Sequence, residues 1–226
     1  MLADYKIVYS RRRTLAIVIR HGQVTVRAPV GCNSKRIEHL IQTKQPWIQR
    51  HLLHQQSQPP ALSWQQRAEI LFKGNTLEVV CCRATKSDVA VAGQKIIITV
   101  SNRVSSTHLS AWQNQLLAQW LKAQANIVFK QRLLSWANVM DISFCEIRLG
   151  QWQRRWGYCD SNGVIGLNWR LIMAPEWVYD YVIVHELAHR QVMDHSVEFW
   201  RIINRYVPDY PQAQAWLSYF QQQLVE

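Results

Sequence analysis

The sequence predicts an α+β fold, with a β-rich N-terminal region over residues 1–104 and an α+β region over residues 105–226 that carries the chemistry. Three observations support this. Period-two alternation recurs through the first hundred residues, a helical period runs through about 107–139, and a later helical stretch contains His185-Glu186-x-x-His189.

Leu15, Ile17 and Ile19 alternate with Ala16, Val18 and Arg20, His21-Gly22 supplies a turn, and Val24, Val26 and Ala28 resume the alternation. That pattern predicts a hairpin, ended by Pro29 and Gly31. Asn33 or Ser34 is placed to cap a helix to about Gln55, which Pro46 is expected to kink or split. The polar stretch 55–63, with Pro59-Pro60, reads as a connector. Strands are expected at 69–72, 76–82, 88–91 and 95–100, with Ala92-Gly93 turning between the last two. The long helix over about 107–139 has Ser106 or Thr107 as its expected cap, and strands follow near 143–149 and 164–168. Helices are then expected over about 175–192, 196–206 and 211–225, with Pro175 and Glu176 suited to a helix start.

The 226 residues suffice for one substantial core or two small lobes. With 48% hydrophobic and 18% charged residues, global disorder is excluded. No apolar run reaches 18 residues, so no membrane partner is expected. The opening Met1-Leu-Ala-Asp-Tyr-Lys6 carries charges where a signal peptide needs an apolar run, so a cytoplasmic location is expected. Five cysteines without a C-x-x-C pair suit reduced thiols better than a disulfide framework. A net charge of +11 favours encounter with polyanions, nucleic acid among them.

Histidines four apart on a helix share a face, which lets His185 and His189 reach one zinc ion. Glu186 follows the first histidine and in this motif reaches the metal's water, from which its carboxylate can take a proton. A catalytic zinc needs a third protein ligand. His195 lies six residues on, where Asp194 and Ser196 suit a break that returns the chain, and Ser196 is placed to cap the next helix. Without a metal, the same residues would be no more than a solvated helix face.

Arg155-Trp-Gly-Tyr-Cys159, Ile165-Gly-Leu-Asn-Trp-Arg170, Ala174-Pro175, Tyr181 to His189 and Asp194-His-Ser-Val-Glu-Phe-Trp200 closely resemble the YgjP-like metallopeptidase family, which is related to the SprT and WLM groups. Ser10-Arg-Arg-Arg-Thr14, Val26-Arg-Ala-Pro29 and Pro46-Trp-Ile48 look like that family's opening region, so one continuous domain over about 12–222 is the alternative to two regions. The resemblance implies a zincin-like lobe, zinc on the three histidines and Glu186 as catalytic residue. Members are described as metal-dependent hydrolases or peptidases, and some as pyrophosphatases acting on UTP. Where the family usually has Trp-Gly-Ser-Cys, Tyr158 replaces the serine.

Arg155 and Arg170 are candidate clamps for a substrate phosphate or carboxylate, with solvated charge as the alternative, whereas Arg154 and Arg190 read mainly as ordinary surface charge. Tyr158 is a candidate donor to a developing oxyanion, and Asn168 either supports the site or merely ends a strand. Cys159 reads as a small buried residue rather than a fourth ligand. Three functions compete: a zinc metallopeptidase cutting peptides, a nucleoside triphosphate pyrophosphatase acting on UTP at the same site, and a basic nucleic-acid-binding protein with structural zinc. An open three-histidine site argues against the third, because structural zinc sites are usually closed and cysteine-rich.

Overall fold

In the computed structural model, which describes residues 4–20, 23–56 and 64–225, the chain forms two compact units, Met1–Pro60 and Ala61–Glu226. The boundary expected at 104/105 therefore falls inside the second unit. The four strands after residue 68 share their core with the helices that follow instead of closing a lobe of their own.

The first unit holds β1 (Tyr5–Ser10), β2 (Ala16–Arg20), β3 (Gln23–Pro29) and α1 (Ser34–Gln56). The expected hairpin is present as β2 against β3, with Ile17 opposite Val26 and Ile19 opposite Val24. Its His21-Gly22 turn lies outside the described residues, as do residues 57–63 of the expected connector. The strand β1, which has no strict alternation, pairs parallel to β3 and was not anticipated. Val24, Val26 and Ala28 bury one sheet face against Ile37, Ile41 and Ile48 of α1. Asn33 caps α1, its Oδ1 accepting from the Lys35 N–H at 2.9 Å. Pro46 lies within the helix and does not split it.

The second unit contains the short α2 (Trp64–Arg67), then β4 (Glu69–Phe72), β5 (Asn75–Ala84), β6 (Asp88–Ala92) and β7 (Lys95–Ser101). These strands form a sheet of order β4-β5-β7-β6, in which β5 and β7 run parallel. After a 3-10 turn at Ser106–His108 comes α3 (Leu109–Met140), which buries Leu117, Leu121, Ala125, Phe129, Leu133, Ala137 and Met140. The cap expected from Ser106 or Thr107 is not made. Ser105 and Thr107 instead direct their hydroxyls to each other and to Nδ1 of His108.

A second sheet of order β8-β10-β9 follows, from β8 (Glu146–Gly150), β9 (Gly157–Cys159) and β10 (Val164–Asn168). β8 pairs parallel and β9 antiparallel to the central, fully buried β10. The three residues of β9 are too few to show a period. A buried 3-10 turn, Trp169–Met173, leads into α4 (Glu176–Ala188), and α5 (Val197–Tyr206) and α6 (Tyr210–Val225) close the unit. Among the described residues, no helix is long and apolar enough to cross a membrane.

α4 positions the site, and it is buried almost all round. Gly74, with φ +79°, turns the β4–β5 connection against Pro175 at its head, where a Cβ would lie 2.7 Å from the proline Cγ. Arg132 of α3 grips the first turns from the side, pairing with both carboxylate oxygens of Asp180 and, at 2.8 Å, with Glu176. Asp180 is buried, so Arg132→Met is expected to leave its charge uncompensated. The expected cost is about 3 kcal/mol, read as a lower denaturant midpoint at unchanged slope.

Candidate metal centre

The buried apolar run of α4 ends at Ala188, four residues before the end the sequence suggests. His189 sits at the helix C-cap, and its Nδ1 lies 3.0 Å from the Val192 carbonyl, to which it can only donate. That carbonyl is turned back toward the helix, so the chain leaves its axis. Asp194 holds the return by accepting the Ser196 N–H at 3.0 Å. Ser196 stands at the N-cap of α5, as expected from sequence, but makes no side-chain cap bond.

The return brings His195 to the helical pair. One ring nitrogen from each of His185, His189 and His195 lies within 4.8 Å of the other two. Nε2 of His185 and Nε2 of His195 are 3.1 Å apart. Two nitrogens held at ~2.0–2.1 Å by one tetrahedral ion stand about 3.3 Å apart, so this pair fits a zinc ion. Val192 engages Nδ1 of His189, leaving its Nε2 for the cluster. The Tyr181 hydroxyl faces Nδ1 of His185 at 3.4 Å and accepts from Gln214 of α6 at 3.1 Å. Burial, followed by the like charges of His189 and His195, depresses His185 to about 3, and burial also lowers His189. Both rings therefore stay neutral near pH 7, the protonation state a metal requires.

The residue that sequence reasoning missed is Phe199, the floor of this cluster. Phe199 of α5 is completely buried, with its ring centroid 4.6–4.9 Å from all three imidazoles. Trp200 packs beside it, stacked on Tyr210 at 5.1 Å. The only signal was an aromatic pair at a fixed distance after His195, which core packing explains equally well.

Glu186 is 6% exposed, and with His185 it lines a cavity of about 390 Å³. Other walls come from Arg155, Trp156 and Gly157 before and in β9, and from Gln214 on α6. A Cβ on Gly157 would lie 2.5 Å from Glu186 Oε1, so the glycine makes the space the carboxylate occupies. Burial pushes Glu186 up to about 8, against the lowering effect of the Arg155 charge.

The other sequence candidates divide. Arg155 reaches the cavity wall, its guanidinium also lying over the Trp152 and Tyr158 rings at 5.2 and 4.7 Å. Tyr158, Asn168 and Arg170 are not among the residues lining the cavity. Tyr158 follows Gly157 on the strand and so takes its other face, where its ring covers Gly166 and meets Trp152 edge-on. Both polar ends of Asn168 are engaged, by the Trp152 carbonyl and the Arg170 N–H. Arg170 is buried beside Trp169. Cys159 donates to the Asp160 carbonyl, and its thiol is pushed up chiefly by burial.

Residues 13–220 match the family model described as YgjP-like, metallopeptidase domain. The chain belongs to the YgjP-like family. No curated protein and no solved structure matches it. Membership supports a metal-dependent hydrolase of metallopeptidase type, and the three clustered histidines of this YgjP-like chain provide a place for the implied metal.

The titrating groups make the metal-free protein pH-sensitive. Glu186 is raised from 4.5 to about 8, so its contribution is full at low pH and is lost as pH rises through about 8. His185 is depressed from 6.5 to about 3, so its contribution is full above 6.5 and is lost as pH falls through about 3. Between pH 6.5 and 8 the Glu186 loss stands alone. With chelator present, wild-type Tm is expected to fall across that window more steeply than that of Glu186→Gln.

Proposed function

We propose that the chain is a zinc-dependent peptide hydrolase, with His185, His189 and His195 as metal ligands and Glu186 as general base. The carrying observation is the convergence of three imidazole nitrogens, one of them on His185, which lines a cavity together with the buried carboxylate of Glu186. Bound zinc with three protein ligands supplies water of pKa near 7 and polarisation of a substrate carbonyl. The chain's own residues do the rest. Val192 and Tyr181 orient the two helical imidazoles. Glu186 accepts the proton of the attacking water at its carboxylate and delivers it to the leaving amine. Burial makes that carboxylate a stronger base than one in water, and Arg155 limits the rise.

Arg155 favours a second reading at the same site. A guanidinium on the cavity wall pairs bidentately with phosphate, as hydrolysis of UTP to its monophosphate and pyrophosphate would require. The metal and carboxylate roles are the same in both readings.

The deciding experiment measures zinc in the purified chain and in His195→Ala, then supplies the wild type with unstructured casein-type peptides and with UTP. About one zinc per wild-type chain and peptide cleavage are expected, with zinc lost from His195→Ala on dialysis. Turnover of UTP alone would decide for the second reading. Undiminished zinc in His195→Ala would remove it as a ligand.

A further inference from the structure

The positive charge of this protein is unevenly divided. The unit Met1–Pro60 holds ten Lys and Arg against two Asp and Glu, a net +8 of the chain's +11. None of the salt bridges among the described residues lies in it. The excess does not serve the unit's own folding. Like charges repel in the compact state. Lys35 and Arg36 also stand in the first turn of α1, where the helix dipole favours carboxylates and none is present.

Strand register shows where part of this charge lies. α1 covers the sheet face that carries Val24, Val26 and Ala28. The partners of Thr25 and Arg27 share the opposite face, which places Lys6 and Val8 of β1 beside them and Ala16 and Val18 of β2 on the other flank. Lys6, Val8 and Arg27 are exposed on that face. As diagonal neighbours on adjacent strands, Lys6 and Arg27 stand about 7–8 Å apart. β1 then runs directly into Arg11-Arg12-Arg13, of which Arg11 and Arg13 are exposed. An open sheet face with small apolar residues and unpaired cations thus continues into a basic turn.

We propose that this face of the first unit binds the phosphate backbone of nucleic acid without reading its sequence. Cations spread along two strands and the turn that follows the first of them give a broad field rather than a compact epitope. That suits a linear polyanion, whose binding gains from release of condensed counterions. An acidic protein partner would need an anchor pocket of large apolar or aromatic side chains, and among the described residues this face offers only Val8, Val18 and Ala16 as apolar groups. The proposal is independent of the reaction at the metal centre.

The test uses the zinc-loaded full chain and a fluorescent 30-nucleotide random-sequence oligonucleotide, followed by anisotropy across a salt series. Binding is expected to weaken linearly on a log–log salt plot. The quadruple variant Lys6→Gln, Arg11→Gln, Arg13→Gln, Arg27→Gln is expected to lose at least tenfold in affinity and to flatten the slope by about 3, at ~0.7–0.9 per phosphate contact. If the quadruple variant does not fold, single Arg13→Gln and Arg27→Gln substitutions should each flatten the slope by about 0.7–0.9. Absence of oligonucleotide binding at low salt, or an unchanged slope in folded variants, overturns the proposal. So does equal competition by UTP at matched phosphate concentration, or binding to phosphatidylserine vesicles and not to oligonucleotide.

Discussion

Glu186→Gln is expected to lower turnover about 10²–10⁴-fold while zinc content stays at the wild-type level, measured on one preparation by metal analysis and by a single-turnover assay. The carboxamide keeps the size and shape of the carboxylate and cannot accept a proton. Glu186 is not one of the clustered ligand groups, so its replacement should leave the metal in place. A glutamate buried only for packing would behave differently. Glutamine would remove its desolvation cost and raise stability near pH 8 without altering turnover, because burial is the main cause of its raised pKa. Wild-type activity in the variant would therefore sink the general-base assignment.

The pair His185 and His189 and the following glutamate were legible because helix geometry is local: a spacing of four fixes a shared face before any tertiary contact is known. His195 was legible by spacing and resemblance, and its approach depends on a turn made by the Val192 carbonyl and Asp194, which no periodicity reports. The strands β1 and β9 were missed for a common reason. One is paired in parallel without alternating burial, the other is three residues long, and both are specified by their partner strands. Phe199 and Gly157 belong to the site through packing across elements, so their roles appear only once α5 and β9 are set beside α4. Tyr158, Asn168 and Arg170 show the converse. Nearness in sequence suggested a shared role, but strand alternation sends Tyr158 to the far face, and neighbouring backbone groups occupy Asn168.

Gly157→Ala is expected to separate activity from stability. The added methyl would lie 2.5 Å from Glu186 Oε1, 2.8 Å from its Cγ and 2.9 Å from its Cδ, far inside contact distance. The strand backbone is held by β10, while the carboxylate is the free end of a side chain bordering a cavity, so the carboxylate moves. A displacement approaching 1 Å at a catalytic group costs on the order of 10²-fold in rate. Stability should change by less than about 1 kcal/mol, since Gly157 does not have a positive φ and alanine restricts the unfolded chain. Gly166→Ala supplies the contrast. Its Cβ would fall 1.9 Å from the Tyr158 ring, a group wedged against Trp152, so overpacking of about 1–3 kcal/mol should appear as a lower Tm. Thermal melts and turnover measured on both variants decide the matter. If Gly157→Ala melts early with its residual activity per folded molecule intact, the glycine serves the strand and not the carboxylate.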